Sequence, residues 1–282
     1  MPLCGRGAKY TRARHVVEWT LANAYRGDWP ARLVRAAGMQ RRVRVVSHRL
    51  ATARWPRDAA PMRIAFASDL HVGPTTHTSI HDEAFARLRE ARADLVLLGG
   101  DYVFLNADRI DEIAHRLATI HAPLGIYGVM GNHDLWADDA AITRALERAG
   151  ARMLVNERVA IAPHVTLVGV DDPWTGLAPA LPLFRDDDAF RIVLSHAPEV
   201  MLRVGDDPFD LALCGHTHGG HIALPGEVPV LVPGPLSRQF AHGRHEVGHG
   251  RTLIVSRGVG STEVALRTFA DPDILIVDVG PL

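Results

Sequence analysis

The sequence predicts a layered α/β fold from three observations. Short unbroken apolar runs alternate with amphipathic stretches of helical period, polar residues follow those runs immediately, and 47% apolar content over 282 residues is enough to fill a buried core. The runs MRIAFA (62–67), DLVLLGG (94–100), GIYGVMG (125–131), VTLVGV (165–170), RIVLS (191–195) and DLALCG (210–215) read as strands buried on both faces. Between them IHDEAFARLREARA (80–93), RIDEIAHRLATIHA (109–122) and DAAITRALERAG (139–150) read as helices, the last closed by Gly150. After Gly226 the texture turns to Pro and Gly around TLIVSRGVG, EVALRTF and DILIVDV, which predicts antiparallel strands completing a second sheet.

The first 60 residues stand apart as a basic extension, with 13 Lys and Arg against three acids, while residues 61–282 hold 18 against 29. Residues 9–26 and 29–38 predict helices in which Val16, Val17, Leu21, Leu33 and Val34 are interleaved with arginine. Such a face either packs on the domain or lies on an anionic membrane surface, with residues 1–57 as the docking segment. Nucleic acid is the weaker partner for these charges, because the body is acidic and carries no recognition motif. Cys4 and Cys214 form neither a disulfide framework nor a CxxC knuckle, and Cys214 reads as a small buried hydrophobe. No apolar run reaches the roughly 18 residues of a membrane span, and no secretory apolar core opens the chain, so a cytoplasmic protein is expected.

Function is written at the strand ends, which converge on the ligand crevice of α/β sheets. MRIAFA runs into Ser68, Asp69, Leu70 and His71; DLVLLGG into Asp101; GIYGVMG into Asn132, His133 and Asp134; RIVLS into His196; DLALCG into His216 and His218. In DLH and HTH the polar residues are two apart, which on an extended backbone turns both side chains to one side. Imidazoles, carboxylates and an amide suit Mn, Fe or Zn. One carboxylate can bridge two ions, and two ions about 3.5–4 Å apart hold the attacking and leaving oxygens of a phosphoryl displacement and turn bound water into hydroxide. Hydrolysis of a phosphate ester or anhydride is the chemistry implied.

The ordered set DLH, GGD, GNHD, SH and GHTH resembles the calcineurin-like metallophosphoesterase superfamily. More narrowly, LVLLGGDYV, GVDD, GHTHGGHI, VSRGVG and DPDILIVDV resemble its bacterial branch of membrane-associated phosphodiesterases and UDP-2,3-diacylglucosamine hydrolase-like enzymes. The resemblance covers about residues 60–282. It implies a four-layer αββα sandwich of two mixed sheets with two divalent ions at one edge. Asp69, His71, Asp101 and His218 would hold one ion, and Asp101, Asn132, His196 and His216 the other. His133 would protonate the leaving oxygen as general acid, and Asp134 would fix that imidazole or support the turn.

The substrate expected is a phosphodiester or pyrophosphate, in a lipid-linked or nucleotide-sugar molecule. Alternatives are a phosphomonoesterase or protein phosphatase on the same metals and, less favoured because no ligand is missing, a non-catalytic scaffold. His221 reads as a rim residue. His242, His245 and His249 read as an exposed hairpin, Asp171 and Asp172 as turn residues or pocket edge, and His77, His81, His115 and His121 as solvated.

Overall fold

The computed structural model describes residues 5–179, 183 and 188–282; Cys4 lies outside the described residues. In chain order the elements are α1 (Arg12–Ala24), α2 (Trp29–Ala36), β1 (Arg44–Thr52), β2 (Met62–Ala67), α3 (Thr78–Ala91), β3 (Leu95–Leu98), α4 (Ile110–Leu117) and β4 (Ile126–Gly128). They continue with α5 (Asn132–Trp136), α6 (Asp139–Arg148), β5 (Ala151–Met153), β6 (Glu157–Ala162), β7 (Val165–Gly169), β8 (Phe190–Leu194), α7 (Met201–Val204) and β9 (Leu211–Cys214). The chain ends with β10 (Ala223–Leu224), β11 (Val228–Pro229), β12 (Gly243–Glu246), β13 (Thr252–Val255) and β14 (Asp273–Pro281).

Among the described residues twelve of these strands build two six-stranded mixed sheets, ordered β1-β14-β2-β3-β4-β5 and β12-β13-β9-β8-β7-β6, while β10 and β11 pair as a separate short antiparallel ribbon. The unbroken apolar runs follow from burial on both faces. In β2 alternate residues Ile64 and Phe66 enter the core between the sheets, whereas Ala65 and Ala67 face α3, α4 and α6. In β9 Leu211 and Leu213 enter the same inter-sheet core, while Ala212 and Cys214 meet Val200, Val204 and Phe209 on the other side. Cys214 is fully buried, as a small hydrophobe should be. Two sheets between helices are therefore the observed architecture. Truncating Phe66, which has no exposed surface, would cost about 3–5 kcal/mol.

The last third of the chain departs from expectation. β14 joins the first sheet, antiparallel to β2 and parallel to β1, and not the second. β13 does join the second sheet, but parallel to β9, with β12 antiparallel on its outer side. EVALRTF forms no strand; Thr268 makes a single bridge to Ile222. β1 was not expected at all: it pairs with β14 over nine residues, from Arg44 opposite Asp273 to Thr52 opposite Pro281. The stretch set apart as a basic extension thus supplies an edge strand of the first sheet.

Candidate metal centre

The polar residues that follow β2, β3, β4, β8 and β9 meet at one edge of the two sheets. The i, i+2 pairs do not converge by way of an extended backbone. Asp69, His71, Asp101, His216 and His218 all have left-handed φ, between 44° and 71°, each at a cost of about 1–2 kcal/mol for a residue with a Cβ. Tight reversals at the strand ends turn these side chains inward, and close packing fixes them. A Cβ on Gly215 would lie 1.9 Å from Ser68 Oγ and 2.2 Å from Asp69 Oδ2, and one on Gly131 would lie 2.2 Å from Asp101 Oδ1, so only glycine fits at either position.

Two facing sets of ligand atoms result. Asp69, His71 and His218 form one group, and Asp101, His196 and His216 another, all buried. His71 Nε2 lies 3.1 Å from His218 Nε2, and His196 Nε2 lies 3.1 Å from His216 Nδ1 and 3.2 Å from Asn132 Oδ1. Asp101 Oδ2 stands between the sets, 3.5 Å from His71 Nε2 and 3.3 Å from His196 Nε2. The ring nitrogens on the far side donate to backbone carbonyls, His71 Nδ1 to Val103 at 3.2 Å and His196 Nδ1 to Gly99 at 2.8 Å. That aims both Nε2 lone pairs inward, the orientation metal-binding imidazoles need. Nitrogen lone pairs facing each other at 3.1 Å repel unless a cation or a proton lies between them, so the donor set fits divalent ions.

The electrostatics agree. Burial raises the pKa of Asp69. Burial also acts to raise Asp101, but His196 and His133 outweigh it and hold that carboxylate well below its ordinary range. Burial acts to lower His196, yet the Asp101 carboxylate raises it well above 6.5. His216 is pushed down to about 3 by burial and by His196, and His218 well below 6.5 by burial and by the Arg267 guanidinium, 2.8 Å from its Nδ1.

Asn132, His133 and Asp134 open α5. Asp134 accepts backbone N–H groups from Asp101 (2.7 Å), Tyr102 (2.8 Å), Val103 (3.2 Å) and Gly131 (3.0 Å), with no hydrogen bond to the His133 ring among the described residues. It is the buttress of two site turns. His133 forms a third group of possible ligand atoms with His71 and Asp101, and its Nε2 lies 3.2 Å from Arg14 Nη2. A guanidinium only donates, so that nitrogen accepts, and burial lowers the ring to about 3.

Other predicted residues fall where their local chemistry puts them. His221 sits at the rim and bonds the Val264 carbonyl through Nε2 at 2.8 Å. Asp172 caps its own turn through Thr175. His245 lies on the β12–β13 hairpin and His249 at its tip. His81 corrects the reading of a solvated residue: it is fully buried and its Nε2 donates to the Leu70 carbonyl at 2.7 Å, steadying the loop that carries Asp69 and His71.

Sequence reasoning missed Arg14, Arg6, Arg267 and Trp174. Arg6 clamps Asp171 through two hydrogen bonds, 2.6 and 2.9 Å, while Gly7 N–H donates to Leu135 O and Ala8 N–H to Thr175 O, both at 2.8 Å. The segment before α1 is thereby strapped beside the site. Its only sequence signal is the arginine-rich run GRGAKYTRAR. Over the metal-ligand groups opens a cleft of about 590 Å³, floored by Asp101, Asn132, His133, His216 and His218 and walled by Trp136, Trp174, Ile222, Leu231 and Val264.

Fold and site together define a metallophosphoesterase, a phosphate-ester hydrolase built on two sheets with a buried Asp/His cluster at their edge. Residues 62–249 match the calcineurin-like phosphoesterase superfamily domain, and the chain belongs to that superfamily. It is 33% identical over 249 residues to phosphodiesterase YaeI of Escherichia coli, covering 83% of this chain and 87% of that one. It is also 29% identical to an uncharacterized metallophosphoesterase of Aquifex aeolicus (84% and 92% covered) and 27% identical to YkuE of Bacillus subtilis, another uncharacterized metallophosphoesterase (83% and 84% covered).

Proposed function

We propose that the protein hydrolyses a phosphodiester or pyrophosphate bond at a dinuclear centre, with Asp69, His71, Asp101 and His218 holding one divalent ion and Asp101, Asn132, His196 and His216 the other. The position of Asp101 Oδ2 between the two imidazole sets carries this reading. Two ions of the Mn, Fe or Zn kind would neutralise phosphoryl charge and acidify an attacking water.

The chain's own residues supply the rest. His133 faces the cleft beside the ligand groups, where a general acid belongs. To act as one it must take a proton from solvent at Nε2, the atom that now accepts from Arg14, so Arg14 has to move off that nitrogen before the proton can pass to the leaving oxygen. The apolar walls limit water and fit an apolar or flat leaving group, which favours a lipid-linked or nucleotide-sugar phosphate, and the name of the Escherichia coli relative favours a diester. Among the described residues no helix is long and apolar enough to cross a membrane. Val16 (59%), Val17 (50%) and Trp19 (61%) are nevertheless exposed on the arginine-bearing helix α1, which supports docking of this helix on an anionic membrane.

Metal analysis of the purified protein, with rates on diester, monoester and nucleotide-sugar substrates, tests the catalytic proposal. Two ions per chain and a preference for diester or pyrophosphate are expected; one ion, or a monoester preference, overturns it. For docking, sedimentation with phosphatidylglycerol vesicles should fall steeply with salt and be lost on replacing Val16, Val17 and Trp19 with Ser. Deleting residues 1–57 would also remove β1 and so is the poorer test. Salt-insensitive binding, or binding unchanged in the triple variant, refutes docking.

A further inference from the structure

Arg14 comes from α1, far outside the strand-end motifs, yet its guanidinium reaches the cleft floor. Among the described residues lining the cleft it is the one arginine or lysine. The chain builds it into place. Arg14 Nε donates to Glu18 Oε1 at 2.8 Å, its Cζ lies 4.5 Å from the centre of the Trp136 ring, and Nη2 points to His133 Nε2. Glu18, which is 7% exposed, is the one buried residue of a helix otherwise exposed or half-buried and also accepts from Tyr10 Oη at 2.9 Å. Upstream, Thr11 caps α1 by accepting from Arg14 N–H, and the strap of residues 5–8 holds that cap against Leu135 and Thr175. Ordering a long side chain costs rotamer entropy, and here Glu18, Trp136 and the strap have already met that cost. Glu263 Oε1, 3.6 Å from Nη2, closes the other side. Nη1 has no protein hydrogen-bond partner among the described residues.

We infer that Arg14 is a phosphoryl-binding residue, delivered from the N-terminal helix to take non-bridging oxygens of the substrate phosphate beside His133. The inference rests on the phosphoesterase reading of the same cleft. A planar guanidinium with free N–H groups matches a phosphate oxygen pair, and its single 3.2 Å contact with an accepting imidazole nitrogen is one that an anion readily displaces. Substrate entry then does two things together: Arg14 exchanges the imidazole for phosphate oxygens, and His133 Nε2 is released to face the leaving group. The two carboxylates keep the guanidinium oriented while Nη1 remains the leading donor.

The test uses full-length, metal-loaded protein with Arg14→Ala, Arg14→Gln and Arg14→Lys. Titration calorimetry with inorganic phosphate should show at least about tenfold weaker binding in the Ala and Gln variants. The kcat/KM for a diester should fall by about 10²-fold, the scale of a lost charge-stabilising donor. Arg14→Lys should retain more of both than Arg14→Gln, with metal content at wild-type levels in all three and the drop in melting temperature from unpairing Glu18 the same in Ala and Gln. Phosphate binding within twofold of wild type in Arg14→Gln overturns the inference. Equal losses in Lys and Gln that track a lowered melting temperature overturn it too, since packing alone would then explain the residue. If wild-type protein binds phosphate but hydrolyses none of the esters, the catalytic proposal fails while the calorimetry still decides the role of Arg14.

Discussion

Replacing Arg6 with Ala should unlatch the N-terminal strap while leaving the sheets intact. Arg6 holds Asp171 at 2.6 and 2.9 Å and Asp139 at 3.0 Å, and the Asp171 side chain is fully buried. Removing one partner of a buried pair costs about 3–5 kcal/mol. Two features reduce that figure: Arg6 is 29% exposed, which screens the pair, and Asp171 keeps a 2.8 Å hydrogen bond from Leu177 N–H. About 2 kcal/mol remains, a roughly 30-fold gain in the opened strap at 1.36 kcal/mol per decade. Hydrogen exchange reads this directly, because the Gly7 and Ala8 amides are protected only by their bonds to Leu135 and Thr175. Both amides should exchange about 30-fold faster in Arg6→Ala, with β8 and β9 amides unchanged. Exchange within threefold of wild type at Gly7 and Ala8, or equal acceleration throughout, would refute the local-latch reasoning.

Asp101→Ala should lose more metal than any other single ligand change, because its carboxylate adjoins both sets; wild-type metal content by elemental analysis would sink the shared-ligand assignment. His133→Ala should keep its metal yet hydrolyse an alkyl diester about 10² to 10⁴-fold more slowly, with a smaller loss on an activated nitrophenyl ester. Equal losses on both esters would leave His133 without a proton-transfer role, and loss of metal would make it a ligand. Stability should fall with acid partly through His81, whose pKa burial lowers to about 4. The unfolded ring takes a proton below about 6.5 while the folded one does not until about 4, so the unfolded state binds more protons in that window. Denaturant titration should show His81→Gln losing about 2 kcal/mol less than wild type between pH 7.5 and 5; parallel profiles would contradict this.

Strands buried on both faces were legible because burial leaves an unbroken apolar run, as in β2 and β9. β1 was not: its residues alternate between half-buried and exposed, and Arg44 and Arg49 made it look like part of a solvated basic tail. The sheet that β14 joins could not be read either, because DILIVDV is equally apolar for both sheets and its partners lie more than 200 residues earlier. At the site, residue types carried the information. Aspartates, histidines and an amide at strand ends announce a metal cluster whatever the local φ, which is why the motifs were found although the backbone there is left-handed and not extended. Arg14 escaped because nothing local marks it: its meaning lies in a contact with His133, 119 residues away. His81 escaped for a related reason, since a polar side chain on an amphipathic helix shows its burial only when the loop it bonds is in place.

The seating of β14 between β1 and β2 also matters during synthesis. Of the described strands translation delivers β1 first, yet its neighbour emerges some 220 residues later. At about 5–20 residues per second, a nascent chain waits on the order of ten seconds or more with an unpaired β1 and an open flank on β2, the kind of edge that recruits other chains. Arginines at 44 and 49 lie along that waiting strand. Their charge guards it against premature pairing until the final strand arrives to close the sheet.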